Sequence, residues 1–141
     1  MILYNKNGDN MEKIKLKFES YVSSLDRLKE AIDESKNNND SVVIDGTIQR
    51  FEFVVELSWK LIKIYLEYEG LGEFNSPRSS IKEAYKVGLI EDGEVWLDML
   101  TDRNLTSHTY DEQLAKTIYS NIVNKYYDQL YSLKETMRSK I

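Results

Sequence analysis

The chain's single histidine, His108, stands in the stretch DRNLTSHTYDE, with Arg103 and Asn104 before it and Tyr110 two residues after it. If the stretch is α-helical, Asn104 and His108 face the same way, and Arg103 lies about 100° from Asn104 around the cylinder. A guanidinium, an amide and an imidazole can then meet over one patch. Arginine grips phosphate through a planar fork, and an unperturbed imidazole, with a pKa of about 6.5, takes up or returns a proton near neutrality. Metal-free cleavage of an RNA phosphodiester requires those two functions: a base for the 2′-hydroxyl and a cation for the charge that builds on the phosphorane.

The same residue types also fit plainer roles. A histidine at a helix end often caps the helix or hydrogen-bonds locally. Arg103 could pair with Asp98, Asp102 or a helix terminus, and Tyr110 could pack at a core edge like others of the ten tyrosines. Glu52 and Glu56 suggest a carboxylate pair, but Glu56 and Lys60 have the spacing of an ordinary surface ion pair, and the ion pair is the expectation.

The elements that must carry these residues are helical. Ile14, Phe18, Tyr21, Leu25, Leu28 and Ile32 step by four and three, making one apolar stripe. After the linker NNND, the segment from Ser41 to Glu69 places Ile48, Phe51, Val55, Trp59, Ile62 and Leu66 on one face, with Val54, Leu57 and Leu61 beside them. So wide an apolar face suits a central helix. Gly46 inside it costs roughly 1 kcal/mol relative to alanine, which predicts close approach of another backbone there.

GLGEFNSPRSS breaks that helix. Ser76 with Pro77 predicts an N-cap and first helical position of a short connector that Gly88 ends. Asp92 can cap the next helix, with Trp96, Met99 and Leu100 inward and Arg103 one turn after Leu100. The stretch holding His108 is read as the end of that helix. TYDE, from Thr109 to Glu112, has the form of a capping box, which would put Tyr110 in the first turn of a last helix striped by Ala115, Ile118, Tyr119, Ile122, Tyr126, Leu130, Leu133 and Met137. The expectation is an all-α chain: an antiparallel four-helix up-and-down bundle with an additional short helix, one domain over residues 1–141.

The absence of cysteine removes disulfides, thiol catalysis and cysteine-rich zinc sites; with one histidine, a transition metal would have to rely on carboxylates. No metal or other cofactor is expected. The apolar run in MILYNKNGDNMEKIK is too short for a signal peptide, and no later segment approaches a membrane span, so a cytoplasmic protein without membrane attachment is expected. A net charge of −5 argues against broad attachment to nucleic acid, while leaving room for a small local RNA site or one assembled from two subunits.

Three ordered segments, DGTIQRFEFVVELSWKLIKIYLEYEG from Asp45, SPRSSIKEAYKVGLI from Ser76 and DGEVWLDMLTDRNLTSHTYDE from Asp92, resemble the family named for nucleotidyltransferase substrate-binding proteins, within the HEPN superfamily. The resemblance spans nearly the whole chain and is weakest before Asp40. HEPN ribonucleases carry an arginine, a polar residue and then a histidine; Arg103, Asn104 and His108 match, with four residues between arginine and histidine. Tyr110 matches the tyrosine of the branch that works with minimal nucleotidyltransferases.

The resemblance implies a homodimer with two motifs facing across a cleft, and a separately encoded minimal nucleotidyltransferase as partner. It implies an RNase toxin of a toxin–antitoxin pair, in which Arg103 contacts phosphate, Asn104 orients it, His108 moves protons and Tyr110 receives AMP from the antitoxin. Asp98, Asp102, Asp111 and Glu112 surround the motif with negative charge, which keeps open a second reading: a non-catalytic subunit that holds RNA or nucleotide substrate for the transferase. A third is a purely structural dimer with the polar motif buried at its interface.

Overall fold

The computed structural model describes residues 3–141, those before residue 10 as backbone alone. Helix α1 runs Leu3–Asn37, α2 Ser41–Tyr68, α3 Pro77–Lys86 and α4 Gly93–Leu105. A 3₁₀ turn at Thr106–His108 follows, then α5 (Glu112–Asn121), a π turn (Ile122–Tyr126) and α6 (Tyr127–Lys140), the last three continuous. The described residues contain no strand. The expected architecture is present: α1, α2, α4 and the α5–α6 helix form the antiparallel bundle, and α3 is the additional short element.

Sequence dictates most helix boundaries through capping. The Asp40 carboxylate accepts from the Val43 N–H at 3.1 Å, Ser76 Oγ from Ser79 at 3.1 Å and Asp92 from Val95 at 3.1 Å. Pro77 occupies the first turn of α3, where its missing N–H costs nothing. Gly88, at φ +79°, ends α3 in a Schellman arrangement: Leu89 N–H donates to the Ala84 carbonyl at 2.8 Å and Gly88 N–H to Tyr85 at 3.1 Å.

Helix α2 is central, touching α1, α3, α4 and α5, while α1 also packs on α6. Ile14, Tyr21, Leu25, Leu28 and Ile32 of α1 are buried as the stripe predicts, with Phe18 half-buried at the edge. Phe51 stacks on Tyr126 with ring centroids 5.5 Å apart. Fully buried Tyr21 donates its hydroxyl to the Leu130 carbonyl at 2.7 Å, joining the first helix to the last.

Two local expectations are overturned. The capping box at Thr109 does not form. The 3₁₀ turn leaves Thr109 at φ −72°, ψ −2°, a helical conformation that an N-cap cannot adopt, and the Asp111 N–H closes back on the His108 carbonyl. Asp111, extended at φ −79°, ψ 107°, caps α5 instead by accepting from Gln113 and Leu114. Tyr110 therefore lies in the turn before α5 rather than in its first turn. Gly46 admits no close backbone either: a Cβ there would meet nothing within 4 Å, because the residue faces an open groove.

These environments predict opposite responses to alanine. Leu28→Ala should destabilise the chain by about 2–5 kcal/mol, the range for emptying a packed leucine site. Gly46→Ala should stabilise it by about 0.5–1 kcal/mol through the lost backbone freedom of glycine. Urea unfolding of both variants measures this. A Gly46→Ala protein less stable than the parent would show that another chain packs against that position.

Candidate functional site

The site is built by the last turn of α4, and Asp102 decides which way that turn points. Its Oδ2 accepts from Asn121 Nδ2 at 3.0 Å and from the Tyr126 hydroxyl. Burial, and then the neighbouring Asp102 carboxylate, push the Tyr126 hydroxyl far above its ordinary pKa, so it remains a donor. Asn121 and Tyr126 are five apart and would diverge on a regular α-helix; the π turn at Ile122–Tyr126 brings them to one carboxylate.

With Asp102 held against the α5–α6 helix, the next residue is rotated by about 100° and emerges on the side of α2. Arg103 Nη2 lies 4.0 Å from Glu52 Oε1 and 3.8 Å from Glu56 Oε1. These are ion-pair distances too long for hydrogen bonds, and Arg103 Nε is buried without a partner. The Thr106 hydroxyl sits between Glu52 Oε2, to which it donates, and the Arg103 carbonyl. Glu52 thus ties α2 to the 3₁₀ turn as well as to Arg103.

The partners of Arg103 are therefore neither Asp98, Asp102 nor a helix terminus. Glu56 makes the expected ion pair with Lys60 at 3.5 Å, and it also accepts from Trp59 Nε1 at 3.3 Å. Sequence reading missed the further role of Glu52 and Glu56 as a two-carboxylate cradle for Arg103. Their i,i+4 spacing was the signal, but the arginine they face lies far along the chain.

Arg103 and Asn104 line one cavity of about 190 Å³, together with Glu56, Trp59, Arg78 and Thr101. His108 does not continue their helix. Because α4 ends at Leu105 and the chain tightens into a 3₁₀ turn, the same-face relation of Asn104 and His108 expected for an α-helix is lost. His108 is exposed and meets Tyr110 edge-on, with ring centroids 6.0 Å apart. Tyr110 is 83% exposed and borders a groove with Asn39, Ser41, Asp45 and Lys116. A larger groove of about 620 Å³ reaches Arg103 from the other side, lined by Arg27, Arg50, Glu52 and Phe53.

The acidic residues around the motif are partly committed. Asp102 is turned inward onto its two donors and Asp111 is used as a cap, whereas Asp98 and Glu112 are exposed. The arrangement can present a guanidinium and an amide to an anion in one cavity, with an accessible imidazole and phenol at the adjoining turn.

The family described as nucleotidyltransferase substrate binding protein like matches over residues 16–139. The chain is 39% identical over 85 residues to a Haemophilus influenzae protein named Probable ribonuclease HepT; the match takes in 57% of this chain and 58% of the relative, less than two thirds of its length. A solved structure from Thermus thermophilus is 34% identical, with a TM-score of 0.75, covering 84% of this chain and 98% of that one. A Haemophilus influenzae structure, described as revealing the fold of a substrate binding domain of a nucleotidyltransferase, is 29% identical, with a TM-score of 0.77, covering 86% and 98%.

Removing the Asp102 carboxylate should strand the buried Tyr126 hydroxyl. Asp102→Ala is expected to cost about 1–3 kcal/mol, the desolvation penalty of an unpaired buried polar group. Tyr126→Phe should then cost much less in the Asp102→Ala background than in the parent, a coupling that a double-mutant cycle by chemical denaturation measures. Additive losses would mean that the two side chains stabilise the fold independently.

Proposed function

The chain belongs to the nucleotidyltransferase substrate binding protein like family, and on that premise we propose that it is a HEPN-type, metal-independent endoribonuclease whose activity a separate minimal nucleotidyltransferase silences. Residues 1–141 are read as one such domain, acting in the cytoplasm as the toxin of a toxin–antitoxin pair. Among the described residues, no helix is long and apolar enough to cross a membrane.

The observation that carries this reading is the state of Arg103. Its guanidinium is oriented by two carboxylates without being hydrogen-bonded to them, and it shares a cavity with Asn104. A group so placed keeps donors for a phosphate and needs little reorganisation to use them. In the reaction, His108 accepts the 2′-hydroxyl proton as that oxygen attacks phosphorus. Arg103 and Asn104 hold the phosphoryl oxygens while negative charge grows. The 5′-oxygen leaves and takes a proton from water, giving a 2′,3′-cyclic phosphate and a 5′-hydroxyl, and His108 returns its own proton to solvent.

A homodimer suits the same surface. Phe53 is 60% exposed in the groove that reaches Arg103. A symmetric partner over this groove would cover the phenylalanine and bring two copies of the motif together, partly offsetting the net charge of −5. The carboxylates beside Arg103 favour the second reading, a substrate-holding subunit for the transferase, because they oppose the approach of a polyanion.

Incubation with RNA in EDTA separates the two readings. The parent protein should cleave to 2′,3′-cyclic phosphate ends, and His108→Ala should be slower by about 10²–10⁴-fold, the usual contribution of acid–base catalysis. Arg103→Ala should lose activity with helicity and oligomeric state unchanged. Cleavage retained by both variants would come from a contaminant, and the substrate-holding reading would then stand.

Tyr110 is the proposed site of silencing. An AMP group on this exposed phenol, beside the His108 ring, would set a negative phosphate where RNA must approach. Co-expression with the partner transferase should add AMP to the intact chain by mass spectrometry, and Tyr110→Phe should remove that mass and remain active. Modification confined to another tyrosine would refute the assignment.

A further inference from the structure

Arg78 lies outside the arginine-to-histidine motif, yet it lines the same cavity as Arg103 and Asn104. It follows Pro77 at the start of α3, where the backbone is held firmly. Ser76 caps the turn through Ser79 N–H at 3.1 Å, and the buried Ser80 hydroxyl donates to the Ser76 carbonyl at 3.0 Å. The Arg78 side chain is exposed, and among the described residues no carboxylate pairs with it. The lining of this small cavity thus sets two guanidiniums and an amide beside one carboxylate, Glu56, which already serves Arg103 and Lys60, while Glu52, outside the lining, is the second carboxylate near Arg103. In a chain with a net charge of −5, two arginines lining one cavity are a local concentration of cationic donors, and Arg78 is the one with no carboxylate partner among the described residues. An anion entering the cavity would meet guanidinium donors from both arginines. The half-buried Trp59 side chain supplies apolar wall beside them.

We propose that Arg78 is a second phosphate-binding residue, which holds the RNA phosphate next to the scissile phosphate held by Arg103 and so sets the strand's path across α3 and α4. The inference rests on the ribonuclease reading for the identity of the strand, but its test does not need cleavage. A fluorescein-labelled single-stranded RNA with 2′-O-methyl sugars, which has no nucleophile and cannot be cut, is titrated by anisotropy at several salt concentrations.

Arg78→Gln should weaken binding roughly tenfold at low salt, the scale of one charge-assisted contact. The slope of log affinity against log salt should fall by about 0.7, the value for one single-strand phosphate. Arg78→Lys should restore the slope. With cleavable RNA, Arg78→Gln should raise KM and leave kcat unchanged, a split that a merely structural role for Arg78 would not produce. If the parent cleaves and Arg78→Gln has the same KM and salt slope, the inference is wrong while the ribonuclease reading stands. If the parent binds RNA through Arg78 without cutting it, the phosphate-binding role of Arg78 holds and the ribonuclease reading, with the scissile phosphate it supplies, fails. A parent that does not bind the oligonucleotide overturns both.

Discussion

The geometry of the motif depends on one carboxylate. Asp102 receives the Tyr126 hydroxyl and the Asn121 amide from the α5–α6 helix, and this fixes the rotation of α4 about its own axis. Trp96, Met99 and Leu100 seat α4 by the fit of its ridges against its neighbours. A half-buried, doubly bonded carboxylate adds a directional restraint, because rolling would leave the buried Tyr126 hydroxyl without a partner. The consequence for Arg103 is direct: it must point to α2.

On that side Glu52 and Glu56 orient the guanidinium and Thr106 fastens the following turn. The three helices α2, α4 and α5–α6 therefore meet in a polar relay from Asn121 and Tyr126 through Asp102 and Arg103 to Glu52 and Glu56. Of its carboxylates, Asp102 is turned onto two donors, whereas Glu52 and Glu56 face the guanidinium that an anion must reach. The cost is that a phosphate must compete with two carboxylates for Arg103. The absence of direct hydrogen bonds between them keeps that competition open.

Helix content, the buried stripes, the fold class and most helix boundaries were legible along the chain because they are set by contacts within a few residues: i to i+4 periodicity, the caps at Ser76 and Asp92, and the left-handed turn at Gly88. Ile118, Ile122, Tyr126 and Leu130 follow one another by fours, a run that drifts across a regular α-helix. The π turn in its middle absorbs the drift and keeps Ile118, Ile122, Tyr126 and Leu130 buried. The spacing by fours is the local signal of that irregularity.

The candidate residues Arg103, Asn104, His108 and Tyr110 could be named from type and spacing, but their arrangement could not. Whether the chain stays α-helical through His108, or tightens at Thr106, depends on Thr106 reaching Glu52, a residue 54 positions away. Whether Gly46 is crowded or open depends on which side of α2 the other helices cover. The partners of Arg103 and the cavity it shares with Arg78 likewise join segments that no local pattern connects. Sequence by itself determined which side chains are apolar, which turns close and which groups carry chemistry, since those follow from short-range sterics and hydrogen bonding. Only the tertiary structure decided which of those groups meet, because that is settled by the rotation of whole helices about their axes, and the bonds that stop the rotation are long-range.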